Sequence, residues 1–140
     1  MTEPAAASPN AAPSPNLAAV HERLRAILAP YRGRLRVAND GPGGMTLELP
    51  EYAGQPWGFA AGTRLGKRYV SYYLMGVYGD DGLAAAISPE LRKRMQGKSC
   101  FNFTRIDEPL LQELEALTAT SIARQPSITA AALKARRTSR

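Results

Sequence analysis

The chain has 140 residues, 44% hydrophobic and 21% charged, with a formal net charge of +6. That is enough apolar material for one ordinary core and too little for two independent ones. No apolar run approaches the roughly 20 residues of a membrane helix, and the N-terminus lacks the basic stretch and apolar segment of a secretory signal, so a soluble, cytoplasmic protein is expected. A single cysteine, Cys100, and a single histidine, His21, rule out an intramolecular disulfide and a Cys/His zinc site. The charge is unevenly placed. Residues 17–123 carry 13 Lys/Arg against 11 Asp/Glu, a net +2, whereas 124–140 hold Arg124, Lys134, Arg136, Arg137 and Arg140 and no acid. A folded part at +2 has no field that demands a polyanion.

Residues 1–15 are rich in Pro and Ala with almost no large apolar side chain, and are expected to be disordered because they bury too little to offset their ordering entropy. After Asn16, a good N-cap, Leu17, Val20, Leu24, Ile27, Leu28 and Tyr31 recur at helical spacing, which puts His21, Glu22, Arg23 and Arg25 on the exposed side. The helix is expected to end around Pro30 and Gly33. Leu35 and Val37 alternate with Arg34 and Arg36, and Met45, Leu47 and Leu49 with Thr46 and Glu48, giving two strands with one buried and one wet face, joined by a turn over Asn39–Gly44. Trp57, Phe59 and Ala61 mark a third strand, and Gly62–Lys67 a loop. Tyr69–Tyr78 is apolar or aromatic on both alternate sets, the pattern of a strand in the sheet centre. Asp80 or Asp81 caps a short helix with Leu83 and Ile87. Ser88-Pro89-Glu90 starts another that runs to about Gln96 and stops at Gly97. Cys100–Arg105 is the last strand. Asp107 caps a final helix with Leu110, Leu111, Leu114, Leu117 and Ile122 inward, Ile106 and Leu111 forming a hydrophobic staple, and Pro126 as its end.

The fold class is therefore α+β: one antiparallel sheet of about five strands with helices packed on it, in the order α-β-β-β-β-α-α-β-α. The domain spans 16–123, between the 1–15 segment and a basic C-terminal tail over 124–140 that is weakly and only partly helical from Ser127.

Val70-Ser71-Tyr72-Tyr73-Leu74-Met75, then Ile87-Ser88-Pro89-Glu90-Leu91, then Lys93-Arg94-Met95-Gln96-Gly97-Lys98-Ser99-Cys100-Phe101-Asn102-Phe103 resemble the YdhG-like domain family of unknown function, over about residues 17–122. The resemblance implies a compact α+β fold, an antiparallel sheet with helices on one side, of the kind compared with frataxin-type iron chaperones. It implies no reaction and so no catalytic residues. An iron site would want clustered carboxylates, and the first helix offers Glu22 alone beside Arg23 and Arg25.

Gly97-Lys98-Ser99 lacks the earlier glycine of a phosphate loop, since position 92 is Arg92, and it lies between helix and strand instead of strand and helix. Gly62–Arg68 fails the same pattern and is a basic loop. Arg92, Lys93, Arg94 and Lys98 have two readings: cations that relieve a helix C-terminus, or an anion site in which Arg94 and Lys98 join Arg68, the Ser99 hydroxyl and Tyr73. Cys100 is either a small strand hydrophobe or a thiol in want of a base. Asn102, mid-strand among aromatics, needs partners from the protein or from a ligand.

The function expected is binding without catalysis: recognition of a small anionic molecule or a protein partner through Tyr72 or Tyr73, Arg68, Arg94, Lys98, Ser99 and Asn102. No metal or cofactor is expected. One alternative is a small-substrate enzyme using Cys100 or a tyrosine, and another is weak nucleic-acid binding through the basic tail.

Overall fold

The structure, a computed structural model, describes residues 16–138; the segment 1–15, expected to be disordered, lies outside the described residues. Helix α1 (Leu17–Leu28) begins where Asn16 Oδ1 accepts the Ala19 N–H at 3.1 Å and buries Val20, Leu24, Ile27 and Leu28. A 3-10 turn over Ala29–Tyr31, with Pro30 inside it, closes the helix. Five strands follow, β1 (Arg36–Gly41), β2 (Gly44–Glu48), β3 (Phe59–Leu65), β4 (Val70–Leu74) and β5 (Cys100–Phe103), all antiparallel and in the spatial order β1-β2-β3-β4-β5. Between β4 and β5 lie the short helices α2 (Met75–Gly79), α3 (Asp81–Ala85) and α4 (Pro89–Arg92), and α5 (Glu108–Thr138) completes the chain. The class is α+β as expected, with one more short helix than the sequence pattern gives.

The core lies between the sheet and the helices α1 and α5. Val70, Tyr72 and Leu74 of β4 and Phe101 and Phe103 of β5 meet Leu24, Ile27 and Leu28 of α1 and Leu111 and Leu114 of α5, all nearly inaccessible to solvent. Tyr72 keeps its hydroxyl satisfied in this setting by donating to Thr118 Oγ1 at 2.6 Å, while Thr118 donates to the Leu114 carbonyl.

Several local expectations change. The strand expected over Tyr69–Tyr78 stops at Leu74, and Met75 and Val77 belong to α2. Here packing overrides β-propensity. A Cβ on Gly76 would lie 3.0 Å from both the Cβ and the carbonyl oxygen of Ser121, and one on Gly79 would lie 2.5 Å from Ile128 Cγ2. The two glycines let α2 lie directly on α5. β3 takes the sheet centre, and β4 stands next to the edge strand β5. The expected loop from Gly62 begins only after Leu65: Gly62 serves close approach, since a Cβ there would meet the Met45 carbonyl oxygen at 2.6 Å. β1 likewise runs on to Gly41, which narrows the expected turn. Glu48, placed on the wet face, is 8% exposed and accepts from Arg36 at 2.5 Å and from the Gly54 N–H at 3.0 Å. The helix expected to reach Gln96 stops at Arg92, because Arg94 and Gln96 turn their backbone to β5: the Asn102 N–H donates to the Arg94 carbonyl and the Gln96 N–H to the Cys100 carbonyl. The last strand ends at Phe103, and Ile106 remains 44% exposed outside the cap it was expected to staple.

Pro126 does not end the last helix. It costs one backbone hydrogen bond, yet α5 continues to Thr138. Contacts on both sides of the proline hold the helix in line: Ile128 seats on Gly79, Gln125 and Thr129 are buried, and Gln125 Nε2 donates to Thr129 Oγ1 at 3.1 Å. Before it, Arg124 pairs with Asp80 at 3.1 Å. Residues 124–138, expected as a basic and only partly helical tail, are thus the continuous end of α5.

His21, expected on the exposed side of α1, is 1% exposed, with Nε2 2.8 Å from Thr63 Oγ1 of β3. The helix sits close enough to the sheet to turn the edge of its apolar stripe inward, and the Thr63 hydroxyl gives the imidazole a partner there. Burial first, and then the neighbouring Arg25 charge, hold its pKa below the ordinary 6.5.

Leu74→Ala and Leu114→Ala should each cost about 2–5 kcal/mol, and Gly76→Ala about 1–3 kcal/mol through overpacking against Ser121; urea unfolding of the three variants checks the assignment. For His21 the folded protein binds fewer protons than the unfolded chain near the ordinary histidine pKa. Its contribution to stability is therefore intact above about pH 6.5 and lost as the pH falls from there toward the lowered folded value. The melting temperature of the wild type should drop more on acidification through this window than that of His21→Gln.

Candidate functional site

Side chains alternate across a strand. Once Val70, Tyr72, Leu74, Phe101 and Phe103 face the helices, Ser71, Tyr73, Cys100 and Asn102 must face away. The register pairs them as Ser71↔Asn102 and Tyr73↔Cys100, and continues on β3 as Ser71↔Arg64 and Tyr73↔Gly62. Among the described residues, the helices α1 and α5 pack on the opposite face. The turn after β3 and the segment before β5 rise beside this second face and bound a groove of about 470 Å³, lined by Arg64, Gly66, Lys67, Arg68, Tyr69, Ser71, Tyr73, Gln96 and Cys100.

Among the described residues, the lining holds three cations and no carboxylate. Five arginines elsewhere in the fold are committed to ion pairs: Arg23 to Glu108, Arg25 and Arg32 to Asp40, Arg36 to Glu48, and Arg124 to Asp80. Among the described residues, Arg64, Lys67 and Arg68 form no ion pair, and all three are exposed. The Gly66 N–H donates to the Tyr69 carbonyl at 3.0 Å and closes the turn that carries Lys67 and Arg68.

Of the residues expected in an anion site, Tyr73 and Arg68 reach this groove. Tyr72 does not: it is fully buried among the helices, and burial pushes its pKa far above the usual phenol range. Lys98 lines a separate hollow with Arg92 and Tyr78, its ammonium 5.8 Å from the centre of the Tyr78 ring. Arg94 and Ser99 do not line the groove; Ser99 instead gives its carbonyl to the Leu74 N–H. Asn102 does not line the groove either, and its amide is already used on two residues that do. Its oxygen accepts from Ser71 Oγ at 2.8 Å and its nitrogen donates to Gln96 Oε1 at 2.7 Å, so it holds the floor in shape. The helix-end reading of the basic cluster changes too, because Arg92 donates to the carbonyls of Ala84 and Ile87, outside its own helix.

Arg64, Lys67, Ser71 and Gln96 were missed by sequence reasoning. The signal for Ser71 was its alternation with Tyr72, and for Arg64 and Lys67 the basic loop itself. A further aromatic was hidden by a bulge. Phe59 shares the odd parity of Ala61 and Thr63, which face α1. Between Leu47↔Ala61 and Glu48↔Phe59, however, Ala60 is an extra residue, and such a bulge reverses the facing of what precedes it. Phe59 therefore joins Tyr73 on the open face, edge-on, with ring centroids 6.1 Å apart.

Cys100 is half-buried in the groove floor, and burial raises its pKa above the ordinary thiol value against weaker help from the Ser71 and Tyr73 hydroxyls. His21, the single imidazole of the chain, is on the other side of the sheet with Thr63. The thiol is thus held in its neutral, weakly nucleophilic form. Among the described residues, no group of three or more His, Cys, Asp or Glu is placed to hold a metal ion.

Comparison of the chain with protein-family models, with curated proteins and with solved structures finds no match. Cys100 should be alkylated by iodoacetamide more slowly than a free thiol near pH 8, with a rate that keeps rising above the ordinary cysteine pKa; a rate already at its plateau near neutral pH would show an activated thiol.

Proposed function

We propose that this protein is a non-enzymatic binding domain for a small anionic molecule, held on the open face of the sheet. The observation that carries the reading is that Arg64, Lys67 and Arg68 line one groove, with no carboxylate among its described lining residues. Three cations facing one concavity attract and orient an anion, and the Tyr73 hydroxyl adds a donor at the floor. The volume of about 470 Å³ suits a metabolite-sized ligand. Membership of the YdhG-like family belongs to the same proposal and rests on the residue runs quoted for it. A cytoplasmic setting is part of it as well; no described helix is long and apolar enough to cross a membrane.

Inorganic phosphate should stabilise the wild type by mass action, by about 2.7 kcal/mol at one hundred times its dissociation constant, and chloride at equal ionic strength should not. Arg64→Gln with Arg68→Gln should lose that increment while folding normally. Arg94→Gln with Lys98→Gln should retain it, because those side chains lie outside the groove. Thermal melts in phosphate and in chloride check this, and equal shifts in the two salts for all three proteins would remove the anion site.

A further inference from the structure

The groove bearing the cations does not end at Tyr73. A second groove of about 530 Å³ continues over β3 to β2 and shares Arg64 and Tyr73 with the first. Its character differs: aromatic surface replaces charge. The Phe59 ring lies over Gly62, where a Cβ would come within 3.2 and 3.3 Å of two ring carbons, and meets Tyr73 at an interplanar angle of 62°. Asn39 and Thr46 stand in the same groove. Asn39 donates its amide N–H to the Gly44 carbonyl at 3.3 Å, and among the described residues no donor meets its amide oxygen. Among the described residues, no acidic side chain lines either groove.

We infer that, on the reading of the cation groove as an anion site, its ligand is an aromatic anion of the nucleotide class. The phosphate sits at Arg64, Lys67 and Arg68, and the planar ring lies against Phe59 in the adjoining groove. Aromatic faces accept planar rings irrespective of their substituents. The open amide oxygen of Asn39 and the Thr46 hydroxyl favour a ring with polar edges over a plain hydrocarbon one. Arg64 belongs to both grooves and ties the two halves of the ligand to one site. A single nucleotide fits better than a nucleic-acid strand: the cations occupy one end of the trough, whereas a strand needs them repeated along its backbone.

Calorimetric titration of the full chain with inorganic phosphate, adenosine monophosphate, adenosine and a short oligo(dT) tests this. The nucleotide should bind about ten- to hundredfold more tightly than phosphate, the usual worth of one stacked base. Phe59→Leu, which keeps apolar bulk without a ring, should bring the two ligands to within about twofold while leaving phosphate affinity unchanged. Nuclear Overhauser contacts between the adenine protons and the Phe59 ring in the wild type read the same seat without a variant. Equal affinity for phosphate and nucleotide, or a margin that survives Phe59→Leu, overturns the ring seat and leaves the anion site standing. Adenosine binding as tightly as its monophosphate overturns the anion site itself, and absence of binding by both phosphate and the nucleotide removes both proposals. Oligo(dT) binding more than tenfold tighter than the nucleotide, with a steeper salt dependence, replaces the single nucleotide with a strand.

Discussion

Five large side chains on two neighbouring strands, Val70, Tyr72, Leu74, Phe101 and Phe103, share one face of the sheet and must leave water together. Burying each is worth about 1.5–3 kcal/mol, and a slip of one residue in either strand would turn that strand's whole set outward. Tyr72 sharpens the constraint, since its hydroxyl needs Thr118 to meet it inside the core. This fixes the register of β4 and β5 and the rotation of α5. Everything on the open face follows: Ser71, Tyr73, Cys100 and Asn102 point outward because their neighbours cannot.

The far end of the fold depends on small residues. Gly76 and Gly79 bring α2 onto α5 so closely that Ser121 and Ile128 occupy the space a side chain would take. That contact decides two things the local sequence argues against, a helix where Val77 and Tyr78 favour strand and a helix that passes through Pro126. Asp80 adds an electrostatic clasp: it accepts the Leu83 N–H at the start of α3 and pairs with Arg124, and its pKa is lowered first by the former and then by the latter.

The charges divide by role. The arginines bound to Asp40, Glu48 and Glu108 link α1, the strands and α5 to one another. They are mostly partly exposed pairs, each worth little individually, and they fix how elements lie against each other. Arg64, Lys67 and Arg68 link nothing in the described fold. Leaving exposed cations unpaired in water costs little, so they remain available to an external anion, and screening makes any such binding salt-dependent.

Patterns of the strand period of two and the helix period of about 3.6 were legible in the chain. Asn16 and Ser88 as caps, the α1 stripe, Met45 and Leu47, and the inward leucines of α5 follow from local chemistry that acts within a few residues. The α+β class and the antiparallel sheet follow from those patterns in turn. Tyr73 and Arg68 were legible as candidates. Arg94, Lys98 and Ser99 were grouped with them by closeness in sequence, which does not measure closeness across a sheet. Tertiary structure alone decided that His21 turns inward, because the partner that admits it, Thr63, lies 42 residues away. It decided the same way that Pro126 is carried through by Gly79, and that Phe59 reaches the open face through the bulge at Ala60. Each depends on an atom supplied by a distant strand or helix, and a local pattern contains no record of which distant atom will arrive.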